Sequence, residues 1–293
     1  MDRPDWLTVK VPSAENLDRM KKLLDSAHLH TVCEGADCPN IGECFADKTC
    51  TFMILGDVCT RNCRFCAVAH GRPSTVDPGE PQAVALTSHQ LGLKHVVVTS
   101  VSRDDLADGG AGHFAATIRE IRCQVPQVTI EVLIPDFQGY QDALQLVLEA
   151  RPDVINHNIE TVPRLYSSVR PQAIYERSLE LLQRVSQAGI LSKSGLMLGL
   201  GETIAEVIAV MEDLRSVNCV ILTLGQYLSP SPAHYPIIEY IHPDTFNSLQ
   251  EKAYKMGFLE VNAGPLVRSS YHAAKTFSNI DVNKMRKGVV ING

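Results

Sequence analysis

The chain has 293 residues, 45% of them hydrophobic, and a formal net charge of −6. That length suits one large α/β domain or two ordinary ones, and the acidic balance argues against a nucleic-acid binder, which carries a basic footprint. No apolar run approaches the roughly 18 residues that span a bilayer. The N-terminus, Met1-Asp2-Arg3-Pro4-Asp5-Trp6, has neither a signal-peptide nor a transit-peptide profile, so a cytoplasmic protein without nucleic-acid or membrane partners is expected.

In chain order, residues 12–27 predict a short helix with Ser13 as N-cap. Residues 28–50 form a loop region with Gly, Pro and the first group of cysteines. From Thr51 the pattern changes. Apolar runs at Thr51–Leu55, His95–Thr99, Thr129–Ile134, Val154–Ile159, Ser194–Leu200, Val220–Leu224 and Leu259–Val261 predict buried strands. Helical spacing lies between them, in Phe114, Ile118 and Ile121, then Leu144, Val147 and Leu148, then Ile204, Ile208, Met211 and Leu214. Strands alternating with helices imply parallel βαβ units wound in one direction. Six or seven such units make a barrel or most of one, with its chemistry at the carboxyl ends of the strands.

The chain has nine cysteines, an odd count that fits poorly with a disulfide framework in a reducing compartment. All but Cys123 and Cys219 lie between residues 33 and 66, and such clustering points to metal ligation or redox chemistry. Cys50, Cys123 and Cys219 are expected to pack as small apolar residues. Directly after the first predicted strand, Cys59, Cys63 and Cys66 have the spacing CxxxCxxC. Three thiolates in so short a loop suit three corners of a cubane iron–sulfur cluster and leave the fourth iron open. Arg61 and Arg64 supply positive charge that favours thiolates. Structural zinc, which takes four ligands, and buried or redox-sensing thiols remain the alternatives.

Upstream, Cys33, Cys38 and Cys44 have the spacing CxxxxCxxxxxC, with Gly35, Pro39 and Gly42 allowing a tight wrap around a compact object. A second cluster is the economical reading; a loop with incidental cysteines is the other. Asn156, Asn158 and Glu160 alternate with His157 and Ile159, so a period of two sets them on one face of the fourth strand's end. A solvated strand end reads the same way. Gly195 and Gly199 lie on or just after the fifth strand, where glycine permits close backbone approach and where an ordinary strand-to-turn glycine also occurs. Arg103, Asp104 and Asp105 read as a plain helix start. Arg170 and Arg268 read as carboxylate contacts or as surface salt bridges.

The CxxxCxxC loop after a first strand resembles the radical S-adenosylmethionine (SAM) superfamily. The paired triplets, followed by Arg268-Ser269-Ser270-Tyr271, resemble lipoyl synthases, and the likeness covers nearly the whole chain. The resemblance implies a partial (β/α)6-type parallel barrel at residues 51–262. Residues 1–50 form an N-terminal extension carrying the first cysteines, and residues 263–293 a C-terminal extension carrying the serine motif. It implies two [4Fe–4S] clusters. One is held by Cys59, Cys63 and Cys66 and binds SAM at its open iron. The auxiliary one is held by Cys33, Cys38 and Cys44 with Ser270 as fourth ligand, or Ser269 as the alternative. SAM contacts are expected from Asn158 and Glu160 and along the strand of Gly195 and Gly199. A Gly-Gly-Glu motif common in the superfamily is absent after the second strand, where Asp105 is a candidate for SAM's amino end.

The implied activity is insertion of two sulfur atoms at C6 and C8 of an octanoyl group on a carrier lysine. Two adenosyl radicals drive it, and the auxiliary cluster is the sulfur source. The implied partners are an octanoylated carrier domain (of a 2-oxoacid dehydrogenase E2 or the glycine cleavage H protein), an electron donor such as ferredoxin or flavodoxin, and an iron–sulfur repair protein.

Overall fold

The computed structural model describes residues 3–7, 24, 29–32 and 51–280. The helix expected at 12–27, apart from Leu24, and Cys33, Cys38, Cys44 and Cys50 lie outside the described residues. The main sheet has the order β1 (His30–Thr31), β2 (Thr51–Ile54), β5 (His95–Ser100), β6 (Thr129–Leu133), β7 (Val154–Asn156), β8 (Leu191–Leu198), β9 (Ile221–Gln226) and β10 (Glu260–Gly264). Every neighbouring pair is parallel except β1 with β2. The sheet is an unclosed barrel, because β2 pairs with β1 and not with β10. A short parallel pair, β3 (Val58–Cys59) with β4 (Ala69–His70), follows β2.

The helices α1 (Glu80–Gln90), α2 (Ala111–Gln124), α3 (Gln141–Glu149), α4 (Tyr166–Val169), α5 (Tyr175–Gln187), α6 (Ile204–Ser216) and α7 (Pro243–Lys255) fill the crossovers, and α8 (Ala273–Asn279) follows the last strand. Strand residues facing them form two cores. Phe52, Val96, Val98, Ile130, Val132 and Ile155 pack under α1 to α3. Leu196, Leu198, Leu222, Leu224 and Val261 pack under α6 and α7. All seven apolar runs become strands. In α6 the buried face is Val207, Val210, Met211 and Leu214, whereas Ile204 is exposed because it sits one residue after the Thr203 capping box. Cys219 is buried as expected, but Cys123 is exposed near the end of α2. No helix among the described residues is long and apolar enough to cross a membrane.

β8 begins three residues before the apolar run suggested, and the reason is Lys193. It points into the barrel and is fully buried, with its Nζ 2.7 Å from Glu131 Oε1 on β6. His95 on β5 puts its Nε2 3.4 Å from the other carboxylate oxygen. Burial alone would raise the Glu131 carboxyl, but Lys193 and His95 outweigh it and hold it at about 2. Beneath this cluster α8 closes the base. Phe277 stacks edge-on against His95, and Ile280 joins Val154, Leu191 and Ile221, the first residues of β7, β8 and β9.

Because the folded Glu131 carboxyl lies below its unfolded value of about 4.3, its stabilisation is present above that pH and is lost as pH falls through about 2. Lys193→Met leaves a buried carboxylate with one partner fewer and is expected to cost roughly 3–5 kcal/mol. Glu131→Leu/Lys193→Met, which removes both charges, is expected to recover most of that loss in urea unfolding. A double variant as unstable as the sum of the singles would contradict this account of the barrel interior.

Candidate active site at the carboxyl ends of the strands

β2 ends in two left-handed residues, Leu55 (φ 69°) and Gly56 (φ 93°). Glu80, at the start of α1, accepts the Leu55 amide at 2.8 Å, and the Leu55 side chain covers Gly110 so closely that a Cβ there would overlap it. The turn sends the chain outward from the strand end and into the cysteine loop. Cys59 ends β3, and Cys63 and Cys66 follow in a turn closed by the Cys66 amide on the Cys63 carbonyl at 3.0 Å.

The loop is fastened to the exits of several other strands. Thr60 donates both its amide and its hydroxyl to the Ser102 carbonyl at 3.0 Å, and its hydroxyl accepts the Asp104 amide at 3.0 Å. The Asn62 amide reaches Gln172 Oε1 at 2.7 Å, and the Arg64 amide reaches the Val169 carbonyl at 2.9 Å. The Arg64 carbonyl accepts the Tyr235 amide at 2.7 Å, and His234 Nε2 lies 3.1 Å from the Cys66 carbonyl.

Arg61 is the strongest of these ties. It is buried, with Nε 2.6 Å from Asp104 Oδ2 after β5 and Nη2 2.6 Å from Asp136 Oδ1 after β6. Arg177 on α5 holds the other Asp136 oxygen at 3.1 Å. Burial alone would lower the Arg61 pKa, but the two carboxylates outweigh it and raise it. Burial likewise pushes Asp136 up, and Arg61 overrides it to hold the carboxyl at about 2. The positive charge of Arg61 does favour the Cys63 thiolate, as expected, but its direct partners are Asp104 and Asp136. Arg64 lies over the Tyr235 ring at 5.6 Å. Arg103, Asp104 and Asp105 do not start a helix. Arg103 is buried, bonds the Leu55 carbonyl at 3.2 Å and forks onto Asp105 at 2.9 and 2.8 Å, and α2 begins only at Ala111.

Cys59 Sγ accepts amide hydrogens from Arg61 at 3.4 Å and Ser102 at 3.3 Å. Burial pushes the Cys66 thiol up to about 11 and also raises Cys63, so both are thiols until something displaces their protons. Among the described residues, no three His, Cys, Asp or Glu side chains converge where a single ion would sit. A cubane has no such requirement, because each thiolate holds a different iron.

Beside the loop, β7 gives way to an irregular exit. Asn156 and Asn158 each carry a buried amide oxygen without a partner, as do the hydroxyls of Ser100 and Thr161. His157, on the other face, is neutral. Burial lowers it to about 4, and its ring nitrogens lie 2.8 Å from the Ile134 carbonyl and 2.9 Å from Ser178 Oγ. Glu160 has a left-handed backbone (φ 69°), strained for a non-glycine residue, and is stitched to β8 through its amide to the Gly195 carbonyl at 2.9 Å. Burial raises its carboxyl, against the charge of Arg170. A Cβ on Gly195 would overlap Thr223 Oγ1 and crowd Asn158 Oδ1, and one on Gly199 (φ 97°) would overlap Gln226 Nε2 and the Glu239 carbonyl. Close approach is needed at both, and in this structure the approaching atoms are the protein's own.

The strap carrying the serine motif leaves β10 at the same end. The Pro265 carbonyl accepts the Gln226 amide at 3.3 Å, and the Val267 carbonyl lies where a Cβ on Gly225 would be. Ser270 follows in a turn whose carbonyl accepts the Ala273 amide at 3.3 Å, and Tyr271 and His272 stack at 3.9 Å. Arg268 bonds the Val267 carbonyl at 2.7 Å. Sequence reasoning missed Asp136 and the network around it, and only the Asp-Phe-Gln-Gly turn after a strand hints at that role.

The family described as the Radical SAM superfamily matches residues 53–214. The chain is 58% identical over 273 residues to the lipoyl synthase of Caldanaerobacter subterraneus subsp. tengcongensis, covering 92% of this chain and 95% of that one. It is 56% identical over 274 residues to the lipoyl synthase of Pseudomonas fluorescens, covering 92% and 81%. Its fold is like that of methylornithine synthase, with a TM-score of 0.56 at 14% identity over 85% of this chain and 72% of that one. The barrel and its cysteine loop are those of a radical SAM enzyme, for which SAM and a [4Fe–4S] cluster are the cofactors. Within that superfamily the chain belongs to the lipoyl synthase family.

The site fits those cofactors. Three thiols share one loop at the mouth of the barrel, and orphaned buried oxygens lie at the adjoining strand ends, where a polar ligand satisfies them. Arg61→Gln is expected to release the loop from Asp104 and Asp136 and to cost roughly 3–5 kcal/mol. It should also lower the iron retained after anaerobic reconstitution. Wild-type urea unfolding together with full iron content would show that the tie is dispensable.

Proposed function

We propose that the chain inserts two sulfur atoms, at C6 and C8, into an octanoyl group carried on the lysine of a small carrier domain. Cys59, Cys63 and Cys66 hold the cluster that binds SAM. Cys33, Cys38, Cys44 and Ser270 hold an auxiliary [4Fe–4S] cluster that is the sulfur donor. The observation that carries this reading is the combination of both cysteine triplets and the serine motif in a chain so similar, over nearly its whole length, to lipoyl synthases.

When bound, the cofactors supply reductive cleavage of SAM, abstraction of hydrogen from unactivated carbon, and sulfide for the two new C–S bonds. The chain's residues do the rest. Amides of Arg61 and Ser102 aimed at Cys59 Sγ favour added negative charge on that corner. Ligation displaces the protons of Cys63 and Cys66, so cluster assembly is favoured as pH rises. Asn158, Glu160 and the strand of Gly195 and Gly199 hold SAM, with Ser100 and Asn156 offering further polar partners. The base plug of Phe277 and Ile280 keeps water from the lumen. Ser270 would be a hard oxygen donor beside the soft thiolates in holding the auxiliary cluster, which would supply the sulfide.

The carrier belongs to a 2-oxoacid dehydrogenase E2 or a glycine cleavage H protein. Ferredoxin or flavodoxin supplies electrons, a repair protein rebuilds the spent cluster, and the reaction takes place in the cytoplasm.

The test is an anaerobic reaction of the reconstituted protein with an octanoylated carrier peptide, SAM and a reductant. Mass spectrometry is expected to show a gain of two sulfurs, with loss of two hydrogens in the oxidised product. Ser270→Ala should still cleave SAM while losing at least about tenfold in lipoyl product. SAM cleavage without sulfur in the peptide, by the wild-type protein, would reduce the reading to a radical SAM enzyme of another kind.

A further inference from the structure

Arg170 is the one buried cation beside the cysteine loop that no carboxylate has claimed among the described residues. It follows α4, and the segment around it is bound to the loop on both sides of Cys63, through the Asn62 amide on Gln172 and the Arg64 amide on the Val169 carbonyl. Its Nη1 is held by the carbonyls of Asn158 at 2.8 Å and Ile159 at 2.9 Å, and its guanidinium lies 5.3 Å from the Tyr166 ring centre. Its Nε is buried and has no partner. Neutral carbonyls and a ring fix the group in place, and no carboxylate is in salt-bridge contact with it among the described residues. The Glu160 carboxyl, on the same exit of β7, is the group of opposite charge that feels it.

We propose that Arg170 is a positioning residue that sets the reduction potential of the SAM-binding cluster. It does so as a fixed positive charge, anchored on the exit of β7 in the segment that is bonded to the loop on both sides of Cys63. The inference rests on the cluster assignment to Cys59, Cys63 and Cys66 made above. Reduction adds one electron to a cluster whose thiolate and sulfide ligands are already anionic. A nearby cation in a poorly solvated site favours the reduced form, and net charge is among the levers that tune such clusters. Arg61, by contrast, is paired directly with two carboxylates.

The test is a redox titration with mediators and dithionite, followed by electron paramagnetic resonance without SAM. It uses the full chain carrying Cys33→Ala, Cys38→Ala and Cys44→Ala, so that a single cluster is read. Iron content is measured first, and about four irons per chain establish the cluster assignment independently of the inference. Arg170→Met is then expected to lower the ratio of reduced to oxidised cluster at a fixed potential by about tenfold, a midpoint drop of about 59 mV for a one-electron couple. Arg170→Lys, which keeps the charge, should stay near the starting value. Glu160→Gln removes the opposing charge without touching Arg170 and should raise the midpoint, which preserves the test if Arg170→Met does not fold. Loaded Arg170→Met with an unchanged midpoint, or Arg170→Lys falling as far as Arg170→Met, would overturn the proposal. So would an unmoved Glu160→Gln, should it be the variant that is read.

Discussion

The buried Arg61 guanidinium is the constraint on which the rest of the site depends. A loop of three cysteines has little apolar surface to bury, so the hydrophobic effect alone would leave it mobile. Arg61 solves this by crossing from the loop to Asp104 and Asp136, which stand at the exits of β5 and β6. Burying the charges of Arg61 and Asp136 is expensive, and such networks are weak evidence for stability as such. What the arrangement contributes is geometry. It ties the loop to two neighbouring strands of the parallel sheet, and the backbone bonds at Thr60, Asn62 and Arg64 complete the frame.

The barrel below is organised around its interior polarity. Lys193, Glu131 and His95 are buried at the lower end, Asn156 and Asn158 sit higher, and the cysteine loop lies over the mouth. A lumen lined this way requires occupants that satisfy its polar groups, and α8 supplies an apolar floor beneath it. The same C-terminal strap carries Ser270 and then α8, so the proposed iron ligand at the top and the plug at the base belong to one continuous segment. It is pinned midway by the Asn262 amide to Thr276 Oγ1 at 2.6 Å. The segment that carries the serine motif thus also closes the base of the unclosed barrel.

Much of this was legible in the sequence, for identifiable reasons. Strands buried under helices are runs of Val, Ile and Leu, and all seven could be read in that way. The start of β8 could not, because Ser192 and Lys193 look polar until Glu131, more than sixty residues earlier, is brought opposite Lys193. The cysteine loop was legible from its spacing. Its fastening was not, because Arg61 finds its partners 43 and 75 residues away and nothing local marks them. Arg170 read as a carboxylate or carrier contact or a surface salt bridge and proves to be buried on backbone carbonyls, which leave no trace in residue types. The three upstream cysteines lie outside the described residues, and their role rests on spacing and family.

The central claim is that one chain holds two four-iron clusters, one at each cysteine triplet. The most direct measurement is iron and sulfide per chain in anaerobically purified protein, compared with Cys33→Ala/Cys38→Ala/Cys44→Ala. The account predicts about eight irons falling to about four. About four irons in both proteins would remove the auxiliary cluster and, with it, the protein's own sulfur source.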